Sequence, residues 1–288
     1  MKKHKLSVVL ATRNEESNIE KCLKSVIGLA DEIIVVDEES VDSTAKIARS
    51  LGAKVYEVPH EENFHITKQK ALDLAKGDWI LQLDADESLT PQLSDEIKQV
   101  LLMSGEQIWA RSPASRYKKR LFERHSKLIG MGLEQKGEVV AFLLPRRNLF
   151  LGKALKHAGV YPDPAIRLVK KGKARFPCKS VHENMAISGK VAWLFGDLEH
   201  NDSPTFSRYM TRLNRYTNLQ SLEMKKLKLS TSYPTLLYFS FIKPVANFIK
   251  LYLLHKGFLD GMRGFVWSVF SSLHFPIAYF KYWEGVKT

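Results

Sequence analysis

The chain has 288 residues, enough for one large domain or two small ones and for a sizeable buried core. Hydrophobic residues make up 44% and charged residues 26%, an ordinary globular balance that excludes wholesale disorder. Lys and Arg outnumber Asp and Glu by 44 to 31, and the resulting net charge of +13 favours an anionic partner such as a phosphate, a nucleotide, nucleic acid or an acidic membrane face.

Two cysteines, Cys22 and Cys178, are too few for a disulfide framework, and neither stands at zinc-binding spacing from another soft ligand. A reduced, cytosolic setting is therefore expected. The basic opening at residues 1–5 leads into an apolar stretch at 6–11 that is too short for a signal peptide and has no small-residue cleavage site.

Over the first hundred residues short apolar runs alternate with amphipathic stretches. The runs at 6–11, 32–36, 54–58 and 79–83 are rich in Val and Ile and are expected to be buried strands. Ser17-Asn18-Ile19-Glu20 has the spacing of a capping box, with Ile19, Leu23, Val26 and Ile27 on one helix face. A second helix is expected over 42–51, with Gly52 as its stop. A third is expected over 64–76, ended by Gly77, and a fourth opens at Pro91 behind Thr90 as N-cap. Strand and helix alternating at this spacing predict an α/β fold with a mostly parallel sheet.

Ligands of such sheets sit outside the carboxyl ends of the strands. The residues expected there are 12–15, 37–40 and 84–87, so polar side chains converge on one edge. No glycine-rich dinucleotide fingerprint or P-loop follows any strand. Asp84-Ala85-Asp86 places two carboxylates one residue apart at a strand end, where they can share a hard divalent cation with substrate phosphates. Val181-His182-Glu183 is not a zinc-protease motif, because position 186 is Ala; in a phosphate-rich site its carboxylate could take a proton from an attacking hydroxyl.

Residues 111–127 carry seven Lys/Arg against the single Glu123 and show little periodicity. They are expected to form a solvated surface loop or a landing site for a phosphorylated or lipid-linked acceptor. From Thr205 onward twelve Lys/Arg face Glu223, Asp260 and Glu284, a net charge of +9. A helix is expected to open at Ser203-Pro204, with Phe206, Tyr209, Leu213, Tyr216 and Leu219 on one side and Arg208, Arg212 and Arg215 on another. The longest uncharged run, 264–280, has 17 residues and contains His274 and Pro276, short of the ~20 apolar residues of a spanning helix. Basic, aromatic-rich helices in the membrane interface are expected instead, against packing on a first domain or a second subunit.

Several ordered segments carry a resemblance. Ser7-Val8-Val9-Leu10-Ala11-Thr12-Arg13-Asn14-Glu15, then Glu32-Ile33-Ile34-Val35-Val36-Asp37 running into Ser40-Val41-Asp42-Ser43-Thr44, then residues 77–87 resemble the family 2 glycosyltransferases. Arg167-Leu168 and Val181-His182-Glu183 are similar to the acceptor-side half of that family. Gly257-Phe258-Leu259-Asp260-Gly261 with Gly264 resembles the tail of the bacterial lipopolysaccharide-core glucosyltransferase branch. The resemblance is strong over 5–102, moderate over 139–200 and suggestive in the tail.

The resemblance implies a nucleotide-sugar-binding glycosyltransferase A-type fold over 1–200, with a basic insertion at about 105–137, and a helical membrane-associating or oligomerising region over 201–288. It implies an inverting, Mg²⁺- or Mn²⁺-dependent transfer of a hexose, glucose first, from a UDP-sugar to a saccharide of the lipopolysaccharide core or a related cell-envelope glycan. By the family pattern Thr12, Asn14, Glu15 and Asp37 hold the base and ribose. Asp84 and Ala85 contact ribose or sugar, Lys68 approaches the diphosphate, Asp86 binds the metal and Glu183 is the general base.

His182 or His200 is a further candidate metal ligand, and His157, Asp163 and Arg167 are candidate acceptor residues. The location implied is cytoplasmic, peripheral on the inner face of the plasma membrane, with an anionic membrane surface as partner, a homo-oligomer as an option and no nucleic acid. The alternatives are a polyprenyl-phosphate or protein glycosyltransferase, and a non-catalytic nucleotide-binding membrane tether. The sequence departs from the family at Glu38-Glu39, where an acid-glycine pair is usual, at Gln69, where Asn is common, and at 157–163, which lacks a frequent Trp.

Overall fold

In a computed structural model the chain divides into two compact units, residues 1–146 with 162–200 and residues 147–161 with 201–288. The structure describes residues 4–129, 137–178 and 184–287. A single cut at residue 200 thus misses one exchange. Residues 147–161 belong to the second unit because Phe150, Leu155, Ala158 and Val160 bury themselves against Tyr209 and Leu213.

The first unit begins as a run of strand and helix: β1 (Leu6–Thr12), α1 (Ile19–Lys24), β2 (Glu32–Asp37), α2 (Thr44–Ser50), β3 (Lys54–Glu57), α3 (Phe64–Leu74) and β4 (Trp79–Leu83). Then follow β5 (Glu87–Leu89), α4 (Pro91–Val100), α5 (Gly105–Ala110), α6 (Arg116–Leu128), β6 (Val139–Phe150), β7 (Lys153–Ala154), β8 (Pro164–Lys170), β9 (Ala174–Arg175), β10 (Ala186–Ile187), β11 (Lys190–Trp193) and β12 (Leu198–Ser203). The sheet of this unit runs β3-β2-β1-β4-β8-β6, with β11 also beside β6. Its first four strands are parallel, β8 is antiparallel to both β4 and β6, and β11 is parallel to β6.

The apolar runs of β1, β2 and β4 are continuous because both faces of the sheet are covered there, whereas β3, expected to be buried, is the largely exposed edge strand. Successive side chains point to opposite faces, so Val8, Leu10, Val35, Leu81 and Leu83 pack in one cluster with Ile19 and Leu23 of α1 and Leu93 and Ile97 of α4. Val9, Ile34, Val36 and Ile80 pack in the other, with Ala71 and Leu72 of α3. The helix-stop expected at Gly77 has a different physical reason. Ala75 already leaves the helix in an extended conformation, and a β-carbon on Gly77 would sit 2.7 Å from the backbone nitrogen of Ser7. Gly77 is therefore a close-approach glycine, whose N–H donates to Ser7 Oγ at 2.7 Å.

Helix boundaries and faces correct four expectations. Asn18 is the N-cap of α1 but its side chain makes no cap bond; its Nδ2 donates instead to Glu15 Oε2 at 2.8 Å, and Ile27, beyond the helix, faces solvent. The helix of the second unit starts after Thr205, not at Ser203-Pro204: Ser203 ends β12, and Thr205 Oγ1 accepts from the Arg208 N–H. Along this helix, α7 (Phe206–Lys226), the buried positions are Tyr209, Leu213, Thr217 and Met224, so Tyr216 turns outward.

The basic stretch at 111–127, expected as a loop, is mostly helix α6. Two small patches of cover suffice to hold it: Phe122 stacks on Trp193 with ring centroids 4.5 Å apart, and Trp193 Nε1 donates to Ser126 Oγ at 2.8 Å.

Within the second unit two further helices follow α7. Tyr233–Leu254 is one helix of 22 residues with π-helical turns at Tyr238–Ile242 and Ile249–Leu254, and most of it is not buried. It is long and apolar enough to cross a membrane by length and composition, a helix hidden in the sequence by Lys243-Pro244 and Lys250. The last helix, Gly261–Lys287, continues through Pro276. Gly264 is obligatory there, because a β-carbon would lie within van der Waals exclusion of the Gly257 carbonyl.

Candidate active site

The carboxyl ends of β2, β1 and β4 lie side by side, with Thr12 paired to Asp37 and Leu10 to Leu83 in the register. Asp37 is buried at the end of β2, and its carboxylate organises the two loops that leave β1 and β2. It accepts from Thr12 Oγ1 at 2.9 Å, Ser40 N at 2.9 Å and Ser40 Oγ at 2.7 Å.

Ser40 Oγ in turn accepts from the Asn14 N–H at 2.8 Å, Asn14 Oδ1 accepts from the Val41 N–H at 2.9 Å, and Thr44 Oγ1 accepts from the Glu15 N–H at 2.7 Å. Asn14 and Glu39 adopt left-handed backbone, with φ of 54° and 48°. Such conformations are costly for non-glycine residues and are held here by the hydrogen bonds across the two loops. Thr12, Asn14, Glu15 and Asp37 are thus brought together as one connected cradle. Glu38, buried behind it, pairs with His60 Nδ1 at 2.7 Å.

The second half of the site follows β4. Asp84 is gripped by two cations: Lys68 Nζ lies 2.5 Å from Oδ1 and Arg167 Nη2 lies 2.6 Å from Oδ2. Burial pushes the Asp84 carboxyl upward, but the Arg167 and Lys68 charges overcome it and hold the group well below the usual carboxylate range. Arg167 is itself buried and also reaches Glu87 Oε1 at 2.7 Å and Gln82 Oε1 at 2.5 Å. Burial works against its charge, and Asp84 and Glu87 more than compensate, raising the guanidinium further above its ordinary value.

Arg146 Nη1 stands 3.7 Å from the same Glu87 oxygen and Arg146 Nη2 binds Asp163 Oδ2 at 2.9 Å. Three acids, Asp84, Glu87 and Asp163, are thereby matched by three cations, Lys68, Arg167 and Arg146. Ala85, between the two motif acids, is buried in the core. Cys22 lies beneath the turn, its thiol 3.6 Å from the Asp84 carbonyl and pushed up by burial. Cys22 and Cys178 are thiols rather than a disulfide.

Asp86 lies outside the balanced set. Its Oδ2 is 3.5 Å from His200 Nε2, because β12 pairs antiparallel with β5 and sets His200 opposite Glu87. Among the described residues no group of three His, Cys, Asp or Glu forms a ready-made metal site. A magnesium-type cation needs only one or two protein carboxylates when substrate phosphates and water supply the remaining oxygens, and the Asp86 carboxylate at a strand end fits that donor set. Manganese accepts imidazole as well as carboxylate, and His200 would then be the neighbouring ligand. His182, the other candidate ligand, and Glu183, the candidate general base, lie outside the described residues.

The candidate acceptor residues separate. Asp163 and Arg167 belong to the first unit and join the donor-side acids through Arg146 and Glu87, so Arg167 acts as the internal counter-charge of Asp84 rather than as an open binding group. His157 belongs to the second unit, where Asp260 holds it. Asp260 Oδ2 accepts from the Lys156 and His157 N–H groups at 3.1 and 2.8 Å, and Oδ1 lies 3.0 Å from His157 Nδ1. A carboxylate accepts only, so the Asp260 pairing assigns a proton to His157 Nδ1.

Asp260→Ala strands two backbone donors and should lower the stability of the chain by about 2–3 kcal/mol in denaturant unfolding, with Asp260→Asn intermediate. Sequence reasoning gave Gln82, Glu87 and Arg146 no role. Gln82 and Glu87 are two and three residues from Asp84, but Arg167, which joins Gln82, Asp84 and Glu87, is 80 or more residues away and reaches them through the antiparallel pairing of β8 with β4.

A model of glycosyl transferase family 2 matches residues 7–157. An uncharacterized glycosyltransferase of Rickettsia typhi is 29% identical over 274 residues, covering 92% of this chain and 82% of that protein. The lipopolysaccharide core biosynthesis glycosyltransferase LpsC of Rhizobium meliloti is 25% identical over 280 residues, covering 93% of this chain and 90% of its own. Among solved structures, glucosyl-3-phosphoglycerate synthase of Mycobacterium tuberculosis with Mn²⁺ and UDP-glucose aligns with a TM-score of 0.32 at 29% identity, covering 35% of this chain and 41% of that one.

Proposed function

The chain belongs to glycosyl transferase family 2, and from that premise we propose that it is an inverting, divalent-metal-dependent hexosyltransferase using a UDP-sugar, glucose first. The proposed acceptor is a saccharide of a lipid-anchored cell-envelope glycan, the class to which the name of its relative LpsC points. One observation carries the reading. Thr12, Asp37, Asp84 and Asp86 stand at the carboxyl ends of adjacent parallel strands, with Asp84 fixed as an anion by Lys68 and Arg167.

In this reading the cradle of Thr12, Asn14, Glu15 and Asp37 receives the base and ribose. The Asp84 carboxylate, already ionised and immobilised, accepts hydrogen bonds from donor hydroxyls without paying to order itself. Asp86 holds the cation, with His200 beside it. When bound, a divalent cation neutralises charge on a departing nucleoside diphosphate. Glu183 takes the proton from the acceptor hydroxyl on the face of the sugar opposite the leaving group, so that attack is in line and the anomeric centre inverts.

The location we propose is the cytoplasmic face of the plasma membrane. The second unit exposes Leu237, Phe241, Ile242, Val245, Ile249 and Leu253 along the helix Tyr233–Leu254, a contiguous apolar face that suits a bilayer interface. Lys243 lies 4.7 Å from the Phe239 ring centroid and 4.5 Å from that of Phe275, a charge at mid-helix that favours lying in the interface over spanning.

The test is turnover of UDP-glucose, UDP-galactose and GDP-mannose with Mn²⁺ against envelope glycan acceptors. Anomeric analysis of the product by NMR supports the reading when a β-linked sugar forms from an α-linked UDP-hexose. A product that retains the α configuration overturns the inverting assignment.

A further inference from the structure

We propose that helix α6 of the first unit is a docking helix for the anionic headgroup surface of a phospholipid bilayer. The proposal goes beyond the reading above, since it needs neither the transfer chemistry nor the apolar helices of the second unit.

The helix is anchored along one side and open along the other. Phe122 and Ser126 are buried, through the Trp193 contacts already described, and Lys118 turns inward to Asp197 at 3.6 Å. At 3.6 residues per turn the opposite side presents Arg116, Arg120, Arg124 and Lys127, each one turn from the last. All four are exposed, and among the described residues none of their side chains makes a hydrogen bond or ion pair. Glu123 is the single acid of the helix and lies at the margin of this stripe.

A merely solubilising surface would mix the two signs of charge. This stripe does not, although self-repulsion of like charges one turn apart costs helix stability.

A second feature selects a bilayer over a small anion. On one flank of the stripe Tyr117 is 67% and Leu128 70% exposed, with the half-buried Leu121 between them, and Ile129 is exposed just past the helix end. An aromatic and aliphatic shoulder beside a cationic stripe is the pattern of a helix lying at the headgroup level, where Lys and Arg meet phosphates and the apolar side chains reach the acyl boundary. A soluble phosphate or a phosphorylated sugar gives the shoulder nothing to cover.

The experiment uses the full chain and sedimentation with vesicles of phosphatidylglycerol and phosphatidylethanolamine, compared with phosphatidylcholine alone. The triple variant Arg116→Ser, Arg120→Ser, Arg124→Ser should lower affinity for the anionic vesicles by roughly 100-fold, since each cation near such a surface contributes several-fold. Its binding to phosphatidylcholine should be unchanged.

A control triple of equal charge loss on exposed lysines, Lys46→Ser, Lys76→Ser, Lys98→Ser, should lose far less. Tyr117→Trp should add a blue-shifted emission component on anionic vesicles. Equal losses in the two triples would reduce the effect to net charge and overturn the proposal. So would emission from the introduced indole that does not move when the chain is vesicle-bound. Failure of the second unit's membrane reading would show separately, as absent binding to phosphatidylcholine in the parent chain.

Discussion

Arg167→Met is expected to destabilise the first unit by roughly 3 kcal/mol and to abolish nucleotide binding. The substitution keeps the volume but removes the charge that Asp84 and Glu87 share at 2.6 and 2.7 Å. Breaking a buried pair by deleting one partner costs about 3–5 kcal/mol because the other charge is left uncompensated. Lys68 on Asp84 and Arg146 near Glu87 remain, which places the loss at the lower end.

The pH dependence has a definite sign. In the parent chain the folded Asp84 carboxyl is depressed, so its contribution is complete above the ordinary carboxylate value and is lost as pH falls through the lower folded value. In Arg167→Met that acid-labile contribution is diminished, so the stability gap between variant and parent should be widest near neutrality and narrow below about pH 4. Denaturant melts at a series of pH values check this. A gap independent of pH would mean that Arg167 acts by packing alone. Arg167→Lys should rescue only part of the loss, because an ammonium cannot bridge three acceptors with the planar fork that reaches Gln82, Asp84 and Glu87 together.

The second large effect is expected on rate rather than stability. Glu183→Gln should lower turnover by roughly 10²–10⁴-fold while leaving affinity for the donor nucleotide within a few-fold of the parent. The amide keeps the shape of the side chain and removes its ability to take a proton from the acceptor hydroxyl. Single-turnover kinetics with titrated donor separate the two quantities. Loss of donor affinity in step with rate would assign Glu183 to the donor site and leave the base to another residue.

Strands β1, β2 and β4 were legible in the sequence because burial on both faces makes each a short, unbroken Val- and Ile-rich run. The strand ends followed from them, and with them the positions of Thr12, Asp37, Asp84 and Asp86. Helix α6 was not legible. Its buried side consists of Phe122, Ser126 and the inner parts of longer polar side chains, too little apolar signal to mark a period among seven cations.

The role of Arg167 was also out of reach, since Gln82, Asp84 and Glu87 are 80 or more residues away and meet it only through the antiparallel pairing of β8 with β4. The same holds for His157 and Asp260, 103 residues apart. The sequence context of Asp260 carried a resemblance to a family tail, whereas the structure supplies its mechanics: Gly264 admits the Gly257 carbonyl and Asp260 pins the backbone at 156–157. The capping-box spacing at residues 17–20 misled because Glu15, earlier in the chain, captures both the Asn18 side chain and the first free N–H groups of the helix.

The edge formed by β1, β2 and β4 is proposed to bind a uridine diphosphate through a cation held at Asp86. Calorimetric titration of the parent chain and Asp86→Ala with UDP and with GDP, each with and without Mn²⁺, tests it most directly. UDP binding should require Mn²⁺ and disappear in Asp86→Ala, with GDP binding much weaker. Metal-independent UDP binding retained in Asp86→Ala, or no binding of either nucleotide by well-folded protein, would contradict it.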